Sequence, residues 1–124
     1  MAIGTATVTE TRHTSVKKVY WDWASSADNE GSTKQTTYGY DGLLERVVFI
    51  PDAAGTQPSN LYDVTITDDN SVDVLAGLGA DLSNSATVVK THANGLTAVA
   101  GSKLTLNVSN AGLSKGGIVI LYLR

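Results

Sequence analysis

The sequence predicts an all-β protein: a single-domain antiparallel β-sandwich, jelly-roll-like, that spans residues 1–124 with the C-terminal strand in the core. Val, Thr, Gly, Ser and Asn are abundant while Glu, Lys, Gln and Met are scarce, a balance that favours strands and turns over helices. Roughly eight to ten short strand-like segments recur at a spacing of about 8–12 residues. Residues 118–123 form a nearly continuous run of β-branched, aliphatic and aromatic side chains.

The N-terminal part of the chain is predicted to form two strands. Residues 5–13 are mostly polar and therefore form either an edge strand or an arm. We interpret residues 1–15 as a candidate N-terminal arm that becomes ordered on docking. Residues 16–24 alternate in character and place Trp21 and Trp23 on the same face, as the period of two in a strand requires.

Turn-forming residues divide the rest of the chain into short strands. The predicted strands cover residues 36–40, 43–50, 61–67, 72–75, 86–92, 96–100, 104–108 and 118–123. The predicted loops and turns cover residues 24–35, 41–42, 51–60, 68–71, 77–85, 93–95 and 109–117, where Gly, Asn, Asp, Ser and Pro concentrate. Residues 61–67 and 72–75 are expected to pair as a hairpin.

The last predicted strand is apolar on both faces. Ile118, Ile120 and Tyr122 face one way, and the intervening residues, which are also aliphatic, face the other way. We therefore expect one face to lie in the domain core and the other to be covered by a second subunit. This strand is predicted to lie beside residues 104–108. Because residues 43–50 also carry more apolar side chains than one sheet face can hide, the chain is predicted to form a homo-oligomer, most simply a trimer.

The predicted core draws on the alternating positions of several strands. Its expected members are Val47, Phe49, Tyr62, Val64, Ile66, Val74, Val88, Leu104, Leu106, Val108, Ile118, Ile120 and Leu121.

Composition also bears on the class of protein. The formal net charge is −3 and no Lys/Arg cluster is present, which argues against nucleic acid as a partner. The chain has no Cys, so neither disulfides nor thiolate metal sites are available. No apolar run is long enough to cross a bilayer, and residues 1–5 do not resemble a signal peptide, so we expect synthesis in the cytoplasm and no membrane partner.

The residues that could carry catalysis or bind a phosphate lack the required neighbours. His13 and His92 have no Ser or carboxylate partner at a recognisable spacing. The glycines of residues 77–79 and of Gly116 and Gly117 do not open a helix, so they do not predict a phosphate cradle. We therefore predict no enzyme, no catalytic residue and no bound cofactor.

An acidic segment offers the best candidate metal site. Asp68, Asp69 and Asp73, together with Asn70, could supply oxygen ligands to Ca²⁺. Their spacing does not match the twelve-residue calcium loop, and Asp and Asn are common in hairpin turns. A turn is the favoured interpretation, so no metal site is predicted.

Five aromatic residues form a second candidate group: Tyr20, Trp21, Trp23, Tyr38 and Tyr40. If exposed, such a group could stack on sugar rings, as in a carbohydrate-binding module. If buried, it supplies the large side chains of a thin core or of an interface. Because the tryptophans share a face with a valine, we favour burial.

Two stretches of the chain resemble small virion proteins of tailed bacteriophages. Residues 58–79 contain LYDVTITD and VDVLAGLG, and residues 108–124 contain VSNAG and GIVILYLR. The resemblance, which covers about residues 45–124, implies a β-rich structural component that is often trimeric or ring-forming. It implies no active-site residues.

The resemblance leads to a functional expectation. We expect a structural protein of a phage particle, a capsid decoration or cement protein that stabilises the head lattice. Its partners would be further copies of itself and other virion proteins such as the major capsid protein, and its location would be the virion. The alternatives are a neck or tail component, or a carbohydrate-binding β-sandwich module.

Overall fold

The computed structural model describes residues 3–124; Met1 and Ala2, which belong to the candidate arm, lie outside the described residues. The fold is all-β, with 51% of residues in strands and 5% in helices, and its main feature is a curled antiparallel sheet. The all-β prediction is confirmed. Within the described residues, no helix has the length and apolar character that crossing a bilayer would require.

Residues 3–124 contain nine strands and two short 3₁₀ helices. The strands are β1 (Thr5–Thr11), β2 (Lys17–Ala24), β3 (Ser32–Gln35), β4 (Tyr40–Pro51), β5 (Asp63–Thr67), β6 (Val88–Thr91), β7 (Ala98–Ser102), β8 (Thr105–Ser109) and β9 (Gly116–Leu123). The 3₁₀ helices are Ala54–Thr56 and His92–Asn94. Most predicted strands are found with ends displaced by one to three residues, as expected where turn residues mark a boundary only approximately.

The strands form two sheets. The larger sheet has the order β1-β2-β9-β4-β6, and β7 also pairs with β4, so that it contains six strands. The smaller sheet has the order β3-β8-β5. The long strand β4 pairs with β6 through residues 46–49 and with β7 through residues 40–43. One hydrophobic core contains side chains from both sheets.

Strand β9 lies between β2 and β4 in the larger sheet. Ile120 is opposite Tyr20 on one side and opposite Val48 on the other. The prediction that this strand lies beside residues 104–108 is wrong, because those residues belong to β8, which pairs with β3 and β5. Alternation along a strand shows which residues share a face, but it does not identify the neighbouring strand.

The core occupies one face of β9 and not the other. Val119, Leu121 and Leu123 are fully buried in it. The predicted core members that the structure confirms are Val47, Phe49, Tyr62, Val64, Ile66, Val74, Leu104, Leu106, Val108 and Leu121. Ile118 and Ile120 point away from the core cluster, and Val88 packs against it only partly buried. The prediction was wrong for Ile118. Ile120 is buried, as predicted, but on the face opposite Leu121, because consecutive residues of a strand point to opposite faces.

The first half of the chain departs from the prediction between residues 24 and 42. Ser32–Gln35, expected in a loop, forms β3, while residues 36–39, expected in a strand, connect β3 to β4. Thr36 explains the break in pairing: its hydroxyl oxygen accepts a hydrogen bond from Leu104 N at 3.0 Å and donates one to Tyr38 O at 2.8 Å. A local side-chain bond here replaces the ladder bond of a strand.

The predicted turn at Asp41 and Gly42 is a bulge inside β4. The register between β4 and β7 shifts between Tyr40 and Gly42. Gly42 has a φ of +127°, and a Cβ there would lie 2.3 Å from the carbonyl oxygen of Arg124. Glycine is therefore needed for both the backbone angle and the close approach of the two backbones.

The predicted hairpin between residues 61–67 and 72–75 forms only in part. Asp63–Thr67 is β5, but residues 72–75 make a single isolated bridge, between Thr67 and Asp73. Val74 N still donates to Ile66 O at 2.8 Å, so the segment follows β5 without becoming a strand. The expected strand 72–75 is therefore a series of turns, whose stabilisation is described below.

The N-terminal segment forms an edge strand over most of its length. Thr5–Thr11 pairs with β2 along its whole length, from Thr5 opposite Ala24 to Thr11 opposite Lys18. Its side chains alternate between exposed and half-buried positions. Of the two interpretations of residues 5–13, the structure shows the edge strand.

Leu121→Ala tests the role of β9 in the core. Leu121 is fully buried, so truncation should lower the free energy of unfolding by about 2–5 kcal/mol. Leu113→Ala is a matched control, because the same truncation at a side chain that is 49% exposed should change stability by only about 0.5 kcal/mol or less. Denaturant unfolding measures both. Equal effects of the two variants would contradict the placement of β9.

Candidate functional site

The outer face of the smaller sheet is polar. Thr33 of β3 and Thr65 of β5 are both opposite Asn107 of β8, so the three side chains share one row. The Thr33 hydroxyl lies 3.2 Å from the Asn107 side-chain oxygen. A half-buried sheet normally exposes such residues to water on its outer face.

The outer face of the larger sheet is different. Its middle row consists of Tyr20, Ile120, Val48 and Val89, which are opposite one another on β2, β9, β4 and β6. Seven aliphatic or aromatic residues share this face, and together we call them the outer apolar face: Tyr20, Val48, Ile50, Val89, Ile118, Ile120 and Tyr122. Val89 is 48% exposed, whereas neighbouring side chains leave only 9% of Val48 and of Ile120 exposed.

Charged side chains stand on opposite sides of that middle row. One flanking row contains Lys18, Tyr122 and Arg46 in register, and the other begins with Asp22, opposite Ile118. The Arg46 guanidinium carbon lies 4.3 Å from the centre of the Tyr122 ring, a cation–π contact. The face is therefore apolar in the middle, positive along one border and negative at one point of the other.

The sequence predicted part of this surface. It identified Ile118, Ile120 and Tyr122 as a second apolar face of the last strand, and residues 43–50 as more apolar than one sheet face can hide, but not the contributions of β2 and β6. The uninterrupted apolar run at residues 47–50 was the available signal. Placing Val48 and Ile50 of this run on the outer apolar face required knowledge of the pairing between β4 and β9, which the sequence does not give.

The five aromatic residues of the sequence analysis do not form one site. Trp21 and Trp23 are buried, as favoured above, and Trp21 Nε1 donates to Lys34 O at 3.2 Å. Tyr20 lies on the outer apolar face. Tyr38 is exposed, with the Arg12 guanidinium carbon 3.5 Å from its ring centre. Neither tryptophan can offer its ring face to a sugar without unfolding the core.

Tyr40 belongs to a hydrogen-bonded cluster around Glu10. The Glu10 carboxylate accepts hydrogen bonds from Thr37 N at 2.9 Å, Tyr38 N at 3.2 Å and the Tyr40 hydroxyl at 2.7 Å. Burial, reinforced by the hydrogen bond to Glu10, raises the pKa of the Tyr40 phenol. The cluster attaches the edge strand β1 to the segment that precedes β4.

The acidic segment is organised as turns. Asp68 Oδ1 accepts from Asn70 N at 2.9 Å and from Val72 N at 3.1 Å. Asp73 Oδ1 accepts from Ile66 N and Leu75 N, both at 3.1 Å, and its Oδ2 accepts from Gly77 N at 3.0 Å. These carboxylates satisfy backbone N–H groups that lack a strand partner, which is the turn interpretation favoured above.

The contribution of Asp69 to the same segment is different. Its backbone N donates to Ser102 Oγ at 2.8 Å, and its side chain is exposed. Within residues 3–124, no group of three or more His, Asp or Glu side chains is arranged to hold a metal ion.

The histidines are exposed and lie in separate elements. His13 follows β1 in the connection to β2, and His92 begins the second 3₁₀ helix. The glycines also have local roles: Gly77 has a φ of +83° in the turns after Asp73, and Gly117 packs directly against the ring of Trp23. These positions give no geometry for nucleophilic catalysis or for holding a phosphate.

An open cleft of about 650 Å³ lies beside the start of β3 and the end of β8. Its walls include the carboxylates of Asp28 and Glu30 and the exposed aliphatic side chains of Ile3 and Leu113. None of the candidate residues from the sequence lines it. Its mixture of acidic and aliphatic walls does not specify one class of ligand.

No protein-family model, no curated protein and no solved structure matches this chain.

Asp73→Ala tests the structural role of the acidic segment. Because three backbone N–H groups lose their acceptor, the free energy of unfolding should fall by about 1–3 kcal/mol. Asp69→Ala is the matched control and should have little effect on stability. Thermal melts with and without millimolar Ca²⁺ complete the test. A melting temperature of the unmodified protein that rises with Ca²⁺, and does not rise in Asp73→Ala, would show a cation site instead.

Tyr62 provides a test at alkaline pH. Its ring is buried 5.8 Å from that of Trp23, and burial, assisted by the charge of Asp52, raises the pKa of the Tyr62 phenol to about 12. The unfolded chain releases this proton near pH 10 and the folded chain only near its higher pKa. Stability should therefore decrease between about pH 10 and pH 12, and Tyr62→Phe should lose part of that decrease. Urea unfolding at a series of pH values measures it; parallel curves for both proteins would refute the assignment.

Proposed function

We propose that this chain is a non-enzymatic structural protein of a tailed-bacteriophage particle, acting as a capsid decoration or cement protein. The observation that carries the proposal is the contrast between the two sheets: one outer face is polar, and the other is apolar with two tyrosines. This face, partly or fully exposed at five of its seven apolar residues and bordered by charges, is typical of a protein-binding surface. The resemblance of residues 45–124 to phage virion proteins supplies the biological setting.

The proposed mechanism is the addition of buried surface between neighbouring subunits of the shell. Its partners are further copies of this chain and virion proteins such as the major capsid protein, and its location is the virion after synthesis in the host cytoplasm. A contact of moderate affinity is sufficient in a lattice, because many equivalent sites act together. A homo-oligomer remains the prediction; the trimer rests on the resemblance alone, and the charges on the outer apolar face favour a pair of copies instead.

We further propose that the two sheets constitute a jelly-roll-like sandwich with the C-terminal strand in its core. The shared hydrophobic core and the position of β9 between β2 and β4 support this assignment. In a sandwich, the outer faces of both sheets are the surfaces left for other molecules. This architecture therefore agrees with a role based on surface contacts.

The local roles of the polar candidates also support a structural function. The carboxylates of Asp68 and Asp73 bind backbone N–H groups of their own turns, and Glu10 binds β1 to the β4 segment. The carbohydrate-binding alternative depends on exposed aromatic faces, whereas Trp21 and Trp23 are in the core. No observation favours it over the structural role.

Quantitative mass spectrometry of purified particles tests the proposal. The particles would be prepared from the phage or induced prophage that encodes the chain, with the major capsid protein as internal standard and an abundant host protein as contamination control. We expect a copy number comparable to that of the major capsid protein. A small fraction of it would indicate a neck or tail component instead. Absence from the particles, or a level equal to that of the host protein, would overturn the proposal.

A further inference from the structure

The outer side of β2 carries an ordered pattern of charge. Lys18, Tyr20 and Asp22 follow one another at intervals of two residues and therefore point to the same side of the sheet. Lys18 and Asp22 are exposed on either side of the half-buried Tyr20. The strand thus presents a cation and an anion at equal distances from the middle row of the outer apolar face.

This pattern is self-complementary under a two-fold rotation. The rotation axis lies midway between two facing copies of the sheet and runs parallel to the middle row, across the strands. Rotation by half a turn about it reverses the strand direction of the second copy. Tyr20, Ile120 and Val48 then meet the equivalent row of that copy. The same rotation places Lys18 opposite Asp22 of the second copy, and it does so twice, because a two-fold contact repeats every interaction.

We propose that the outer apolar face is a two-fold contact between two copies of this chain, with Lys18 of each copy paired with Asp22 of the other. Charge complementarity identifies the occupant, since a second copy carries the required opposite charges at the required spacing. Within residues 3–124, Asp22 makes no side-chain hydrogen bond and no ion pair. Lys18 has the ring of Tyr20 as its neighbour, with Nζ 5.8 Å from the ring centre.

The same charges disfavour a three-fold arrangement of these faces. If three sheets met around an axis parallel to their strands, the β2 side of each copy would contact the β4 side of the next at the same level. Lys18 and Arg46 lie in one row, each opposite Tyr122, so this arrangement would bring two cations together. Like charges in contact oppose association, whereas the two-fold contact pairs opposite charges.

The two-fold contact does not depend on a role in the virion; in the particle proposed above, it would be the contact between copies of this chain, and the capsid protein would bind other surfaces. The contact follows from the register of four strands and would exist for a protein of any function with this surface. A symmetric pair of copies would in turn offer two equivalent sets of the remaining surfaces to other partners.

Charge exchange at the two positions tests the contact. The variants are Lys18→Asp, Asp22→Lys and the double variant that combines them, with Asp28→Lys as control because Asp28 is an exposed carboxylate outside the face. Native mass spectrometry gives the subunit number, sedimentation equilibrium gives the dissociation constant, and circular dichroism verifies that each variant folds. Because Lys18 and Asp22 are exposed, their substitution should leave the fold intact.

We expect the unmodified protein and Asp28→Lys to have twice the monomer mass of 13.0 kDa. Each single reversal should weaken association by about tenfold or more, because it creates two like-charge pairs, and the double variant should restore it. A carbodiimide should also couple Lys18 to Asp22 between copies, detectable as a peptide pair. A monomer, a trimer, or a dimer that is insensitive to both single reversals would overturn the proposal.

Discussion

The structure depends on the pairing of β9 with β2 on one side and with β4 on the other. Two antiparallel registers fix the direction of every side chain in three neighbouring strands. Val119 and Leu121 belong to the set of side chains that pack in the core, whereas Ile120 belongs to the alternate set, on the outer face of the sheet. A one-residue slip would exchange the two sets, so core packing and the character of the outer surface are determined together.

Sequence reasoning succeeded where a residue's own neighbours determine the outcome. The alternation in β2 placed both tryptophans in the core, and the two-faced character of residues 118–123 was evident from the sequence. It failed where a distant contact decides. Thr36 ends β3 by bonding to Leu104, and the backbone of Arg124 approaches Gly42 inside β4, two contacts between segments far apart in the chain.

The candidate surface shows the same division. The acidic segment was correctly interpreted as turns because Asp and Asn stabilise turns through nearby backbone groups. The aromatic residues were grouped by proximity in the chain, yet they separate into core, outer face and the Glu10 cluster, since strand alternation and pairing direct each one differently. Recognising the outer apolar face required Tyr20, Ile120 and Val48 to be aligned across three strands.

The order of the strands along the chain has a consequence for folding kinetics. β9 follows both of its neighbours, β2 and β4, and its contact with β2 joins Lys17–Ala24 to Gly116–Leu123. Pairing across such a separation requires closure of a very long loop, and folds dominated by contacts of this kind form slowly. On the ribosome, the inner edges of β2 and β4 stay without their partner until β9 has been synthesised. During that interval the nascent chain exposes unpaired strands, the state in which β proteins are most vulnerable to aggregation and most dependent on chaperones.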